Sequence, residues 1–216
     1  MPKLKSESCC VCVLLVDLVL AGCSGRPGAI DVPAFRPGYH AGRAMELYDT
    51  DGDGFVAGEE LENAPGLKAT MSTLDTDGDG KVSEAEVAAR VKAWIDSGIG
   101  VTGCRCVVKM GGKRLAGAVV SLEPDPFLED VIQTGSGKTA RTGEAMLTIP
   151  KEDRPTTDFP PGMRAGIYIV RITKPAADGE TIAAEFNEET VLGLQIAMDD
   201  PQTGSTLPAE FEVEAR

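Results

Sequence analysis

The stretch DTDGDG stands twice in this chain of 216 residues, at 49–54 and again at 75–80. Each copy carries carboxylates at its first, third and fifth positions: Asp49, Asp51 and Asp53 in one, Asp75, Asp77 and Asp79 in the other. The twelfth residue from each start is again acidic, Glu60 and Glu86. Like charges so closely spaced repel one another, and Gly weakens any helix or strand that contains it. Such stretches are poor core material, so something outside the chain is expected to hold them together. Several carboxylate oxygens on one curling backbone suit a hard cation, which takes six to eight oxygens. The net charge of −13 agrees with cation binding. It also argues against nucleic acid as a partner, because an acidic surface repels phosphate backbones.

Extended to twelve residues, the stretches read DTDGDGFVAGEE (49–60) and DTDGDGKVSEAE (75–86). Both resemble the loop of the EF-hand family, D-x-[DN]-x-[DN]-G with Glu at position twelve. The resemblance implies calcium as the bound ion. It implies carboxylate ligands from Asp49, Asp51, Asp53, Asp75, Asp77 and Asp79, and both oxygens of Glu60 and Glu86. It implies a backbone carbonyl at position seven, from Phe55 and Lys81. Gly54 and Gly80 at position six permit the sharp turn. Ala57 at position nine has no side-chain oxygen, so water is expected there, whereas Ser83 can reach the ion or hold such a water. Val56 and Val82 at position eight stand where paired loops make a short antiparallel contact. The 26-residue offset between loops resembles the compact EF-hand pairs of bacterial exported proteins. Calcium sensors expose a Met-rich groove. Within the helical stretch 39–97 the only methionines are Met45 and Met71, so calcium is expected to act as a structural clip or surface ion rather than a switch.

The elements that must position these loops are helical. Met71 and Leu74 precede loop two at helical spacing, and Val87, Val91, Trp94 and Ile95 follow it. AGRAMELY supplies a short entering helix for loop one, and Pro65-Gly66 ends its exit helix early. SGIGVTG marks a boundary at about residues 98–100. Beyond it GAVVSLEP, EAMLTIP, GIYIVRIT, VLGLQIAM and AEFEVEA read as strands. The expected fold class is multidomain α+β: a small helical EF-hand pair at 39–97, then an antiparallel β-sandwich of about seven strands at 101–216. The second part resembles carboxypeptidase regulatory-like, transthyretin-like domains, through VTGCRCVVKMGGKRLAGAVVSLEPD, GKTARTGEAMLTIP and PPGMRAGIYIVRIT. That resemblance implies an accessory or adhesive role without a catalytic set of its own.

Lys3 and Lys5 precede CCVCVLLVDLVLAGC, an apolar run too short to span a membrane. A basic start before a short apolar run reads as an export signal. LAGC at 20–23 resembles the lipobox of bacterial lipoproteins. It implies a signal peptide at 1–22, lipid attachment at Cys23 and a Pro/Gly-rich tether at 23–38. The expected location is the bacterial cell envelope, lipid-anchored to a membrane and facing the periplasm or exterior, with a protein partner there. Cys104 and Cys106 then remain, two apart on one face of a strand. They read as small apolar core residues, the alternative being a redox pair in an oxidising compartment.

His40 is the only histidine and Trp94 the only tryptophan. No HExxH or GxSxG occurs. TGSGKT at 134–139 is not a phosphate loop, because Ile132 stands where that pattern needs Gly; Lys138 reads as a solvated strand residue. The chain is therefore expected not to be an enzyme. The sequence points to a calcium-binding, membrane-anchored envelope lipoprotein with a structural or protein-interaction role. The alternative is an accessory or ligand-binding subunit of an envelope enzyme or transporter complex.

Overall fold

The computed structural model describes residues 30–156, 158–176, 179–204 and 207–216. The expected signal peptide and Cys23 lie outside the described residues. Among the described residues no helix is long and apolar enough to cross a membrane.

Four helices carry the two acidic loops. Loop one is entered by α1 (Pro37–Tyr48) and left by α2 (Glu59–Glu62); loop two is entered by α3 (Pro65–Leu74) and left by α4 (Glu84–Asp96). Pro37 and Pro65 each open a helix, where the missing N–H is no loss and the fixed φ suits the first turn. Pro65 also drives Ala64 out of the helical region, to φ −120 and ψ 66, which holds α2 to one turn. A capping box starts α4: the Ser83 hydroxyl accepts from the Glu86 N–H, and the Glu86 carboxylate accepts from the Ser83 N–H. Val87, Val91 and Trp94 of α4 are buried, as are Ala41 and Ala44 of α1, against which it packs. The loops themselves join through β1 (Phe55–Val56) and β2 (Val82–Ser83), with Phe55 opposite Ser83 and Val56 opposite Val82.

The rest of the chain is built from strands. In order they are β3 (Cys104–Met110), β4 (Lys113–Arg114), β5 (Val119–Pro124), β6 (Gly135–Lys138), β7 (Glu144–Leu147), β8 (Gly166–Thr173), β9 (Pro175–Ala176), β10 (Gly179–Glu180), β11 (Gly193–Ile196) and β12 (Ala209–Val213). One sheet has the order β11-β8-β5-β6. In the other, β3 has β12 on one edge and both β4 and β7 on the other. The remaining pair, β9 and β10, forms a small hairpin.

The last strand corrects the expectation of an antiparallel sandwich. β12 runs parallel to β3, pairing Ala209 with Cys106 and Val213 with Met110. A parallel neighbour needs a connection of a dozen or more residues, and β4 to β11 all lie between β3 and β12 in the chain. The alternation in AEFEVEA marks a half-buried strand, with Ala209, Phe211 and Val213 inside, but a period of two carries no direction.

Helical and β residues share one buried cluster, in which Leu67, Leu74 and Trp94 join Leu122, Ile167 and Ile172. α3 lies against β8 and β11. The approach is close because of Gly66: a Cβ there would stand 2.7 Å from Ile167 Cγ2 and nearer still to Asp125 Oδ2. From Ile30 onward the segment read as a tether is packed on the fold. Arg164 Nη1 donates to the carbonyls of Asp31 at 2.6 Å and Gly100 at 2.5 Å, and the Phe35 ring lies 5.4 Å from that of Trp94.

Candidate metal centre

Both loops fold back on their first Asp. Asp49 Oδ1 and Oδ2 accept from the N–H groups of Gly52 at 2.8 Å and Gly54 at 3.0 Å; Asp75 accepts from Gly78 at 2.6 Å and Gly80 at 2.9 Å. Gly54 and Gly80 have φ of +90 and +80, a region that side chains disfavour. The next carboxylates repeat the arrangement at shorter range. Asp51 Oδ1 accepts from Asp53 N–H and Asp53 Oδ1 from Phe55 N–H, as Asp77 accepts from Asp79 and Asp79 from Lys81.

The last acidic residue closes each loop. Glu60 Oε1 accepts from the Thr50 N–H at 2.6 Å and the Thr50 hydroxyl at 2.9 Å, while Oε2 accepts from the Ala57 N–H at 3.1 Å. Glu86 Oε1 accepts from the Thr76 N–H at 2.8 Å, and Oε2 from the Ser83 N–H and hydroxyl, both at 2.9 Å. Hydrogen bonds from Ala57 and Thr50 hold the Glu60 carboxyl below its ordinary range. Partial burial works to raise Glu86, but the donors on Ser83 and Thr76 outweigh it and lower its pKa. Both side chains therefore stand ready as carboxylates.

These contacts bring acidic oxygens together in two places. One oxygen from each of Asp49, Asp51 and Asp53 falls within 4.8 Å of the others, and so do oxygens of Asp75, Asp77 and Glu86. Glu60 lies outside the first triad and Asp79 outside the second. Phe55 opens β1, and Lys81 directly precedes β2. An all-oxygen donor set on a backbone bent at Gly54 and Gly80 fits a hard cation such as calcium. Spacing alone had not singled out Thr50 and Thr76, yet a hydroxyl recurs at position two of both repeats and could have been noticed.

Long-range hydrogen bonds and ion pairs pin the flanking helices to β11 and to the segments that follow β5 and β11. On α1, Tyr48, the residue before Asp49, donates to Asp125 Oδ1 at 2.8 Å. His40 Nδ1 lies 3.0 Å from the Phe127 carbonyl, and Arg36 Nη2 3.4 Å from Asp130 Oδ2. On α4, the buried Arg90 makes a two-pronged pair with Asp199, both distances 2.7 Å, and donates from Nε to Gln195 Oε1 at 2.5 Å. Gln195 Nε2 then reaches Thr73 of α3 and Asp200, each at 2.9 Å. Thr73 precedes Asp75 by two residues, so one Gln on β11 ties both helices of loop two to the sheet.

TGSGKT contributes no phosphate cradle. Gly135–Lys138 is β6, paired with β5. A Cβ at Gly135 would meet Met163 Cε at 2.5 Å, and one at Gly137 would meet Leu147 Cδ2 at 3.0 Å. These glycines serve close packing, and Lys138 is exposed. Cys104 and Cys106 are free, buried thiols, and burial pushes both up to about 12.

Among known families, the one described as EF hand matches residues 67–91, which cover most of α3, all of loop two and the first half of α4. No curated protein and no solved structure matches the chain. The family match supports calcium binding through an EF hand at that segment.

Proposed function

We propose that both loops bind calcium, and that the ion is a structural clip in a lipid-anchored protein of the bacterial cell envelope. The ligands are Asp49, Asp51, Asp53 and Glu60 with the Phe55 carbonyl, and Asp75, Asp77, Asp79 and Glu86 with the Lys81 carbonyl. Calcium supplies the positive charge that lets these carboxylates stay close. The observation that carries the clip is the pinning of α1, α3 and α4 to β11 and the segment after β5 through Tyr48–Asp125 and the Arg90–Gln195–Thr73 relay. A sensor must swing such helices apart; here the swing would break hydrogen bonds that are buried or part-buried. The anchor is read from LAGC at 20–23, and the interaction role from the transthyretin-like resemblance of 101–216. The chain has no catalytic role in this reading.

A second reading, a ligand-binding accessory subunit, draws on a cavity of about 160 Å³ between α4 and residues 197–199, walled by Trp94, Ile99, Ala165 and Met198. A fixed partner recovered at defined stoichiometry from detergent-solubilised membranes would favour it.

The anchor has its own test. Cys23→Ser should abolish lipid attachment and move the protein from the membrane to the soluble fraction, because several acyl chains hold where one holds only marginally. A wild-type protein found soluble, with an unmodified N-terminus beyond residue 23, contradicts the anchor.

A further inference from the structure

Lys81, at position seven of loop two, stands over loop one. Its ammonium lies 4.7 Å from the centroid of the Phe55 ring and 4.0 Å from Asp53 Oδ2. The register of β1 with β2 places it there: Val56 faces Val82, so the residue before β2 passes across the opposite loop. Asp53 Oδ1 already accepts the Phe55 N–H at 2.9 Å, which leaves Oδ2 to the ammonium.

The relation is one-sided. Position seven of loop one is Phe55, which carries no charge and offers Lys81 a ring face instead. Among the described residues no ion pair reaches Asp75, Asp77, Asp79 or Glu86. Each loop brings four carboxylates, but only loop one meets an internal counter-charge.

We infer that Lys81 is a tethered cation that weakens calcium binding at loop one more than at loop two, so that loop two fills first. This rests on the calcium reading of the loops. A calcium ion entering loop one must displace the ammonium from Asp53 or bind beside it. One unit-charge pair at 4 Å in water is worth a factor of about 5 in an equilibrium constant. Lys81 and Asp53 are 42% and 46% exposed at their side chains, so salt should screen the effect.

Calorimetric calcium titration of the full chain at low ionic strength tests this, with Glu60→Gln used to identify the loop-one site. In Lys81→Gln the loop-one affinity should rise about 3- to 10-fold, the factor following the charge-pair estimate, and by more than any change at loop two, whose position-seven carbonyl the substitution keeps. The gain should shrink in roughly 0.5 M salt. Lys81→Arg, which keeps the charge, should stay close to wild type. Two calcium sites indifferent to Lys81→Gln would overturn this inference alone. An equal gain at both loops would also overturn it. No calcium uptake by the wild-type chain would overturn it together with the calcium reading.

Discussion

Asp125 is fully buried, and while its Oδ1 accepts from Tyr48, its Oδ2 has no hydrogen-bond partner among the described residues. Burial pushes this carboxyl up to about 7, against the lowering influence of the Tyr48 hydroxyl. In the unfolded chain its pKa returns to about 3.9. Between these values the folded state holds a proton that the unfolded state has released. The stabilisation is therefore complete below about pH 4 and is lost as pH rises through about 7, by at most about 1.4 kcal/mol per pH unit. Asp125→Asn keeps an acceptor for Tyr48 and removes the titration. Urea unfolding at pH 5 and pH 8 should show the wild type losing more stability than this variant as pH rises; parallel profiles would refute a protonated Asp125. The carboxylates of the loops were legible as a repeat because their ligand pattern is local. The bond of Tyr48 to Asp125 was not, because 77 positions separate them and nothing in either neighbourhood names the other.

At the scale of elements, α3 is held by what it lacks. Gly66 lies in its first turn, where Ala would favour the helix by about 0.8–1.0 kcal/mol. An added Cβ, however, would run into Ile167 of β8 and Asp125. Gly66→Ala should therefore destabilise the protein by about 1–3 kcal/mol, as overpacking does, read as a lower urea midpoint. A stabilised variant would contradict the docking of α3 on the sheet. The strands at 119–124, 144–147, 166–173, 193–196 and 209–213 were visible in the sequence, because half-burial writes a period of two. The parallel direction of β12 and the seat of α3 on β8 and β11 were not visible. Both depend on which distant surfaces meet, and periodicity records only that a face is buried.

For the whole molecule the decisive quantity is charge held at close quarters. Each loop gathers four carboxylates on a helical part whose core continues into the sheets. With calcium absent their repulsion opposes the folded loops. With calcium at a hundredfold excess over Kd, binding adds about 2.7 kcal/mol per site. That is a large share of the 5–15 kcal/mol that holds a typical domain together. The β sheets bring no such repulsion, since their pairings β3–β7, β5–β8 and β8–β11 need no ion. Trp94, the only tryptophan, is 2% exposed on α4 and sits in the core that the helices share with the sheets, so its fluorescence reports whether α4 stays seated there. The most direct measurement is circular dichroism and Trp94 emission of the full chain, first loaded with calcium and then with excess chelator. The clip predicts that chelation removes helical signal and moves Trp94 into water, that the sheet signal persists, and that added calcium reverses the change. Identical spectra with and without calcium, in a chain shown by calorimetry to take the ion up, would contradict it.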